Sequence, residues 1–164
     1  MNLFKTISRL KWPSLFRLVR LCLPHILLLW PTYKATKECM QISTLHFGRK
    51  HYQNGRANAF RHALWNILIA KRCLKQNQSV ERVLTWAKNI TDWHEQAFFS
   101  NVLPMKMDYH NNAVGRTIFR ENLVWSKTEF VNFLLQLTQN AIKIDESIDL
   151  NPLKKQLIYI SDDS

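Results

Sequence analysis

Asn54-Gly55-Arg56-Ala57-Asn58-Ala59-Phe60-Arg61-His62-Ala63-Leu64-Trp65-Asn66 begins a run that keeps a helical pattern as far as Leu74. Phe60, Ala63, Leu64, Ile67, Cys73 and Leu74 recur at the three- and four-residue steps of one helical face. Nearly opposite lie Asn58, His62, Trp65, Asn66 and Ile69. A helix that is apolar on two sides is surrounded by protein, which places this element at the centre of the fold. Asn58, His62 and Asn66 then stack along it as a polar seam. Buried polar groups cost free energy unless they pair with each other, a metal or a ligand. The seam is therefore the first candidate for a site.

The flanking segments carry the same period. Val83, Leu84, Ala87, Ile90, Thr91, His94, Ala97 and Phe98 form one stripe of a helix that Ser79 caps and that runs to about Phe99. His94 belongs to this stripe and is expected to face inward, with Glu95 about 100° round at its border. After a break over Asn101–Pro104, a helix is predicted from Met107 to Glu121. Met107, Asn111, Gly115 and Ile118 share one of its faces and Asp108 flanks them, while His110 lies off that face. Gly115 lets another helix approach closely, and Asp108 in the first turn would complement the positive helix end. Earlier in the chain, a helix through about residues 14–30 is stopped or bent at Pro24, and a second runs from an N-cap at Thr32 to Phe47. Later, Ser126-Lys127-Thr128-Glu129 reads as a capping box opening a helix that includes Phe130, Val131, Leu134, Leu135, Leu137 and Ile142. Leu157–Ile160 reads as a short extended segment before the acidic Asp162-Asp163. The fold class is mainly α: a single compact domain of about five to six helices. Residues 1–31 form a basic, amphipathic N-terminal segment, and 32–164 the helical domain, with its motif core at 54–116.

Composition agrees with this reading. Of 164 residues, 46 % are apolar and 21 % charged, a globular balance with length enough for a real core. Three glycines and five prolines are too few for a turn-rich sandwich or barrel. Residues 1–38 hold Lys5, Arg9, Lys11, Arg17, Arg20, Lys34 and Lys37 against one acid, Glu38, and so over half of the net charge of +11. Such an arm attracts an anionic membrane surface or an acidic partner, and no nucleic-acid recognition motif accompanies it. The apolar run Leu21–Trp30 is about half of the roughly 20 residues needed to span a bilayer, and Pro24-His25 interrupts it. Pro31-Thr32-Tyr33-Lys34 follows it in place of a small-x-small cleavage site. A signal peptide, an interfacial helix with Leu15, Phe16, Leu18 and Val19 beside Arg17 and Arg20, and a helix docked on the protein's own core all stay open. Cys22, Cys39 and Cys73 are odd in number and form no Cys-x-x-Cys pair. They point to a reducing compartment, a cytoplasmic protein peripheral to the membrane, and away from a disulfide framework or thiolate zinc site. His46 and His51, beside Arg49 and Lys50, are expected in solvent, and Trp65, Trp86 and Trp93 in helix–helix contacts.

The three central helices can bring His62, His94, Asp108 and Asn111 to one interior point. Two imidazoles and a carboxylate suit a divalent metal (zinc, manganese or iron), whose bound water becomes a nucleophile at neutral pH. The metal ligands would be His62, His94 and Asp108. Glu95 would be the general base, with His110, Asn111 and Arg116 completing the catalytic set. Asn58, Arg61, Asn66 and Asn112 would hold the substrate, and Arg61 or Arg116 would neutralise a phosphate. Two other readings use the same residues. One is a hydrogen-bonded network that fixes helix register, Asn111 and Asn112 satisfying His62 and His94. The other is metal-free chemistry with a histidine as acid and base. A serine nucleophile finds no support, since Ser100 and Ser126 lack an elbow of glycines.

These words resemble an uncharacterised bacterial family of small helical domains: N-x-x-A-[DN]-A-F-R-H-A-x-W-N at Asn54–Asn66, H-E at His94-Glu95, and M-D-x-H-N-N-x-x-G-R at Met107–Arg116. Such domains occur alone and at the ends of large toxin-like surface proteins. The resemblance covers residues 54–116 and implies an enzymatic effector, a hydrolase, without an activity to carry over. The family often has Asp where Asn58 stands, so this chain lacks one negative charge for a metal or base role. The function expected is a small α-helical hydrolase, metal-dependent, acting on a phosphate-containing or lipid substrate. The alternative is a non-catalytic helical binding protein with a structural His/Asn/Asp network and a docking basic arm.

Overall fold

In the computed structural model, which describes residues 12–98 and 101–161, the chain forms α1 (Trp12–Cys22), α2 (Ile26–Phe47), α3 (Arg56–Leu74), α4 (Val80–Ala97), α5 (Val102–Glu121) and α6 (Lys127–Gln139). Two short strands follow, β1 (Ile142–Lys143) and β2 (Ile158–Tyr159), paired in parallel with Ile142 opposite Ile158. The fold is mainly α. Helix α3 packs against α2, α4, α5 and α6 and is buried over most of its length, which the two-sided apolar pattern requires. Phe60, Leu64, Ile67 and Ile69 are shut off from solvent, and so are Asn58, His62 and Asn66. Burying each of the large apolar side chains contributes about 1.5–3 kcal/mol.

Small residues set how near the neighbours come. Ala57, Ala59, Ala63 and Ala70 leave α3 thin, and Gly115 of α5 lies directly on Ala63. A Cβ at position 115 would stand 2.3 Å from the Ala63 carbonyl oxygen. The close helix approach expected at Gly115 is therefore present, and it carries Asp108 and Asn112 of α5 up to His62.

Several boundaries differ from the expectation. Helix α1 gives way to a 3-10 turn at Leu23–His25, where Pro24 interrupts it, but α2 begins at Ile26 and runs through Pro31. Thr32 is thus an interior residue, not a cap. Its hydroxyl donates to the Leu28 carbonyl at 2.7 Å and accepts from the Trp86 indole at 2.8 Å. Burial of Leu28, Pro31, Thr32 and Ala35 offsets the hydrogen bond that proline cannot make. Helix α5 starts at Val102, capped by Asn101, because Pro104 falls in its first turn where no amide is needed. Asp108 accordingly stands in the second turn, beyond useful reach of the helix end. Helix α6 opens on the reciprocal Ser126–Glu129 box but stops at Gln139, leaving Ile142 to the strand that meets Leu157–Ile160. His51 is buried, its Nε2 3.0 Å from the Thr44 hydroxyl, against the expected solvation.

Lys5, Arg9, Lys11, Phe99 and Asp162-Asp163 lie outside the described residues. The stretch Trp12–Phe47 contains a window of mean hydropathy 1.3, of which 17 % is buried, and is long and apolar enough to cross a membrane by length and composition.

Candidate functional site

Near the middle of α3, His62 faces the junction of α4 and α5. Its Nδ1 is 3.4 Å from Glu95 Oε1 of α4, and its Nε2 is 3.3 Å from Asp108 Oδ1 of α5. One ligand atom from each of the three residues lies within 4.8 Å of the others. The three side chains are 3 %, 6 % and 17 % exposed respectively, so the cluster is reached from the Asp108 side.

A chain of amides holds it in place. Asn112 donates to Glu95 Oε1 at 3.0 Å and, through its oxygen, accepts from Asn66 at 2.7 Å. The same oxygen is 3.3 Å from His62 Nδ1. Asn66 in turn accepts from Arg116 Nη1 at 2.8 Å. Arg61 completes the set, its Nη2 2.7 Å from His62 Nε2. A guanidinium can only donate, so Nε2 carries the lone pair and Nδ1 the hydrogen directed at Asn112 and Glu95. Asp108 Oδ1, though buried, has no hydrogen-bond partner.

Burial controls the charges. It holds His62 down to about 4 despite the opposing pull of the Asp108 carboxylate, so the imidazole is neutral at physiological pH. Burial likewise raises Glu95, and raises Asp108 from 3.8 to about 6, with the Glu95 carboxylate adding to the second effect. Two carboxyl groups and a neutral imidazole share one poorly hydrated space. Such a space favours a proton or a cation between them.

The expected site residues fall into two groups. His62, Asp108, Asn66, Asn112, Arg61 and Arg116 meet in one network together with Glu95. His94 takes the half-exposed place foreseen for Glu95, its ring against Trp65 at 5.1 Å and Phe98 at 4.8 Å, while Glu95 turns inward. The stripe drifts toward Thr91 and Glu95 because Asn112 supplies the inward carboxylate with a donor. Burial also holds His94 to about 4, against the pull of Glu95. Asn111 faces away from His62. Its amide donates to the Ile158 carbonyl at 2.9 Å and accepts from the Ile158 amide at 3.0 Å. His110 Nε2 is 2.9 Å from the Gln156 carbonyl. Asn58, one turn before His62, donates to the Gln53 carbonyl, with its own oxygen unpartnered.

A groove of about 410 Å³ between α4 and α5 was not anticipated. Lys88, Arg116 and Arg120 line it, with Lys88 paired to Asp92 and Arg120 to Glu81. The four-residue step from Arg116 to Arg120 was its only sequence signal. Arg116 joins this groove to the cluster through Asn66.

Neither the curated proteins nor the solved structures yield a match to the chain. A family model described as a domain of unknown function, DUF6973, matches residues 19–142, well over half of the chain and all of α2 to α6. The cluster, the amide chain and the groove all lie inside that match, and the protein belongs to the DUF6973 family.

Proposed function

We propose that the protein is a small helical hydrolase whose His62, Glu95 and Asp108 bind a divalent cation and whose substrate carries a phosphate. The observation that carries this reading is the convergence of one imidazole and two carboxylates around a buried oxygen, Asp108 Oδ1, that nothing else satisfies. The donor set suits zinc, manganese or iron. A cation bound there would supply an acidified water at neutral pH.

The protein's own groups do the rest. Asn112 orients His62 and Glu95 together, as a partner behind metal ligands must. Arg116 lines the groove beside Lys88 and Arg120, whose charges Asp92 and Glu81 already meet, and would be the cation that receives an anionic group. The substrate class follows from that groove.

Metal analysis of protein purified without chelator or a metal-affinity tag tests the reading. A stoichiometric divalent metal is expected, lost in His62→Ala and in Asp108→Ala but kept in His110→Ala, whose ring faces the backbone of Leu153 and Gln156 and not the cluster. Protein that takes up no zinc, manganese or iron would end the proposal. One observation favours the other reading, a non-catalytic binding domain: Asn66, Asn112, His62, Arg61 and Arg116 satisfy one another without a ligand. Metal-free protein that His62→Ala merely destabilises would support it.

A further inference from the structure

Trp12, Phe16, Val19, Leu23, Ile26 and Trp30 are exposed and follow one another at alternating four- and three-residue steps. That spacing aligns them along a single side of α1, the 3-10 turn and α2. Trp12, Phe16 and Trp30 are 84 %, 71 % and 62 % exposed, values far outside those of a packed helix face. At about 1.5 Å per residue the strip is roughly 27 Å long. Monomeric soluble proteins rarely leave so continuous an apolar surface bare.

The charges beside the strip identify what covers it. From Trp12 to Lys37 the chain has no Asp or Glu, while Arg17, Arg20, Lys34 and Lys37 are all exposed. At the far end of the strip Tyr33 stacks on Trp30 at 5.5 Å, and Lys34 Nζ lies 5.0 Å over the Trp30 ring. Tryptophan and tyrosine beside a lysine are the residues that settle at the boundary between lipid tails and headgroups. A second copy of this chain would set like charges against like, whereas an anionic bilayer surface complements both the strip and its basic border.

The opposite side of the helices forbids spanning. Leu28, Thr32, Ala35 and Cys39 are buried, and Trp86 donates to Thr32. Glu38 pairs with Arg72 at 2.6 Å and with Lys127 at 2.8 Å. Helix α1 is fastened to α4 by the Trp93 indole, which donates to the Ser14 carbonyl at 2.9 Å. Crossing a membrane would break all of these contacts at once.

We infer that the α1–α2 face docks the protein flat on an anionic lipid surface, with Trp12, Phe16 and Trp30 entering the headgroup layer. This surface is independent of the cation site. It also places α4, which carries Glu95, one residue pair away from the docked helix through Trp93.

Flotation of the full chain with vesicles decides the matter, comparing phosphatidylcholine alone with an equimolar phosphatidylcholine–phosphatidylserine mixture. Binding is expected to the mixed vesicles, weakened by salt, and far less to phosphatidylcholine. R17E/R20E should lower partitioning at least about twentyfold, because each cation near such a surface is worth roughly a fivefold gain. F16S/W30S should abolish flotation, and both variants should keep the parent's thermal midpoint because the altered side chains are exposed. Absence of binding by the intact chain, equal binding to both vesicles, or binding unchanged in both variants would overturn the inference. So would light scattering that shows a dimer which F16S/W30S dissolves, since that assigns the strip to a second copy.

Discussion

Gly115→Ala is expected to lower the stability of the protein by about 2–3 kcal/mol, although alanine is the better helix former by about 1 kcal/mol. The added methyl would meet the Ala63 carbonyl oxygen at 2.3 Å and two further backbone atoms of α3 at 2.8 Å. Backbone cannot rotate aside as a side chain can, so α5 must move off α3. Asp108 and Asn112 would move with it, away from His62. Urea unfolding should show the loss, and metal uptake should fall in parallel. Gly48→Ala provides a contrast: at φ 58° and ψ −128° with nothing within 4 Å, it costs only local backbone strain, about 1–3 kcal/mol, and leaves the α3–α5 contact in place. A Gly115→Ala protein as stable as its parent would show that α3 and α5 do not meet as described.

Asp108→Asn should do the opposite in metal-free protein at pH 8 and stabilise it by on the order of 2–3 kcal/mol. The folded carboxyl titrates at about 6 and not at 3.8. As pH rises between those values the unfolded chain releases its proton first, so stability falls across that window and stays low above it. Asparagine has no proton to lose and escapes the penalty. His62 and His94 act with the reverse sign, because both are held to about 4 from 6.5. Their contribution is lost as pH falls from about 6.5 toward 4. In the parent the two trends oppose one another and the profile is shallow. In the variant only the raised Glu95 carboxyl still opposes the histidines in this cluster, and stability should climb more steeply from pH 4 to 6.5 than in the parent. Adding the divalent metal should reverse the ranking at pH 8, because only the parent keeps the carboxylate ligand. A variant no more stable than the parent at pH 8 would mean that Asp108 carries no such cost.

A residue whose ionisation opposes folding is retained for something other than folding, and Asp108 and His62 were readable for that reason. Both are polar letters set among apolar ones at helical spacing. The central place of α3 was equally readable, because an element apolar on two sides has few alternatives. The exchange between His94 and Glu95 was not. Side-chain polarity alone ranks histidine as the more buried of the two, and Glu95 turns inward only because Asn112, on another helix, donates to it. The roles of Asn111 and His110 were hidden similarly, since their partners belong to the chain end. The interruption read at Pro24 is present, but the boundaries drawn at two other prolines failed. Pro31 and Pro104 both lie inside helices, one offset by burial and one placed where its missing amide is harmless.

The two-way bond between Asn111 and Ile158 has a practical corollary. Its side-chain amide offers a donor and an acceptor to β2 as a peptide group would, so α5 serves as a third neighbour in a sheet of two strands. Met107, Ile144 and Ile158 close over the same junction. A fragment trimmed to the family boundary at residue 142 would strand that amide in a greasy notch with neither partner, and expression work should retain the chain at least through Ser161, whose amide still reaches the Asn54 carbonyl ahead of α3.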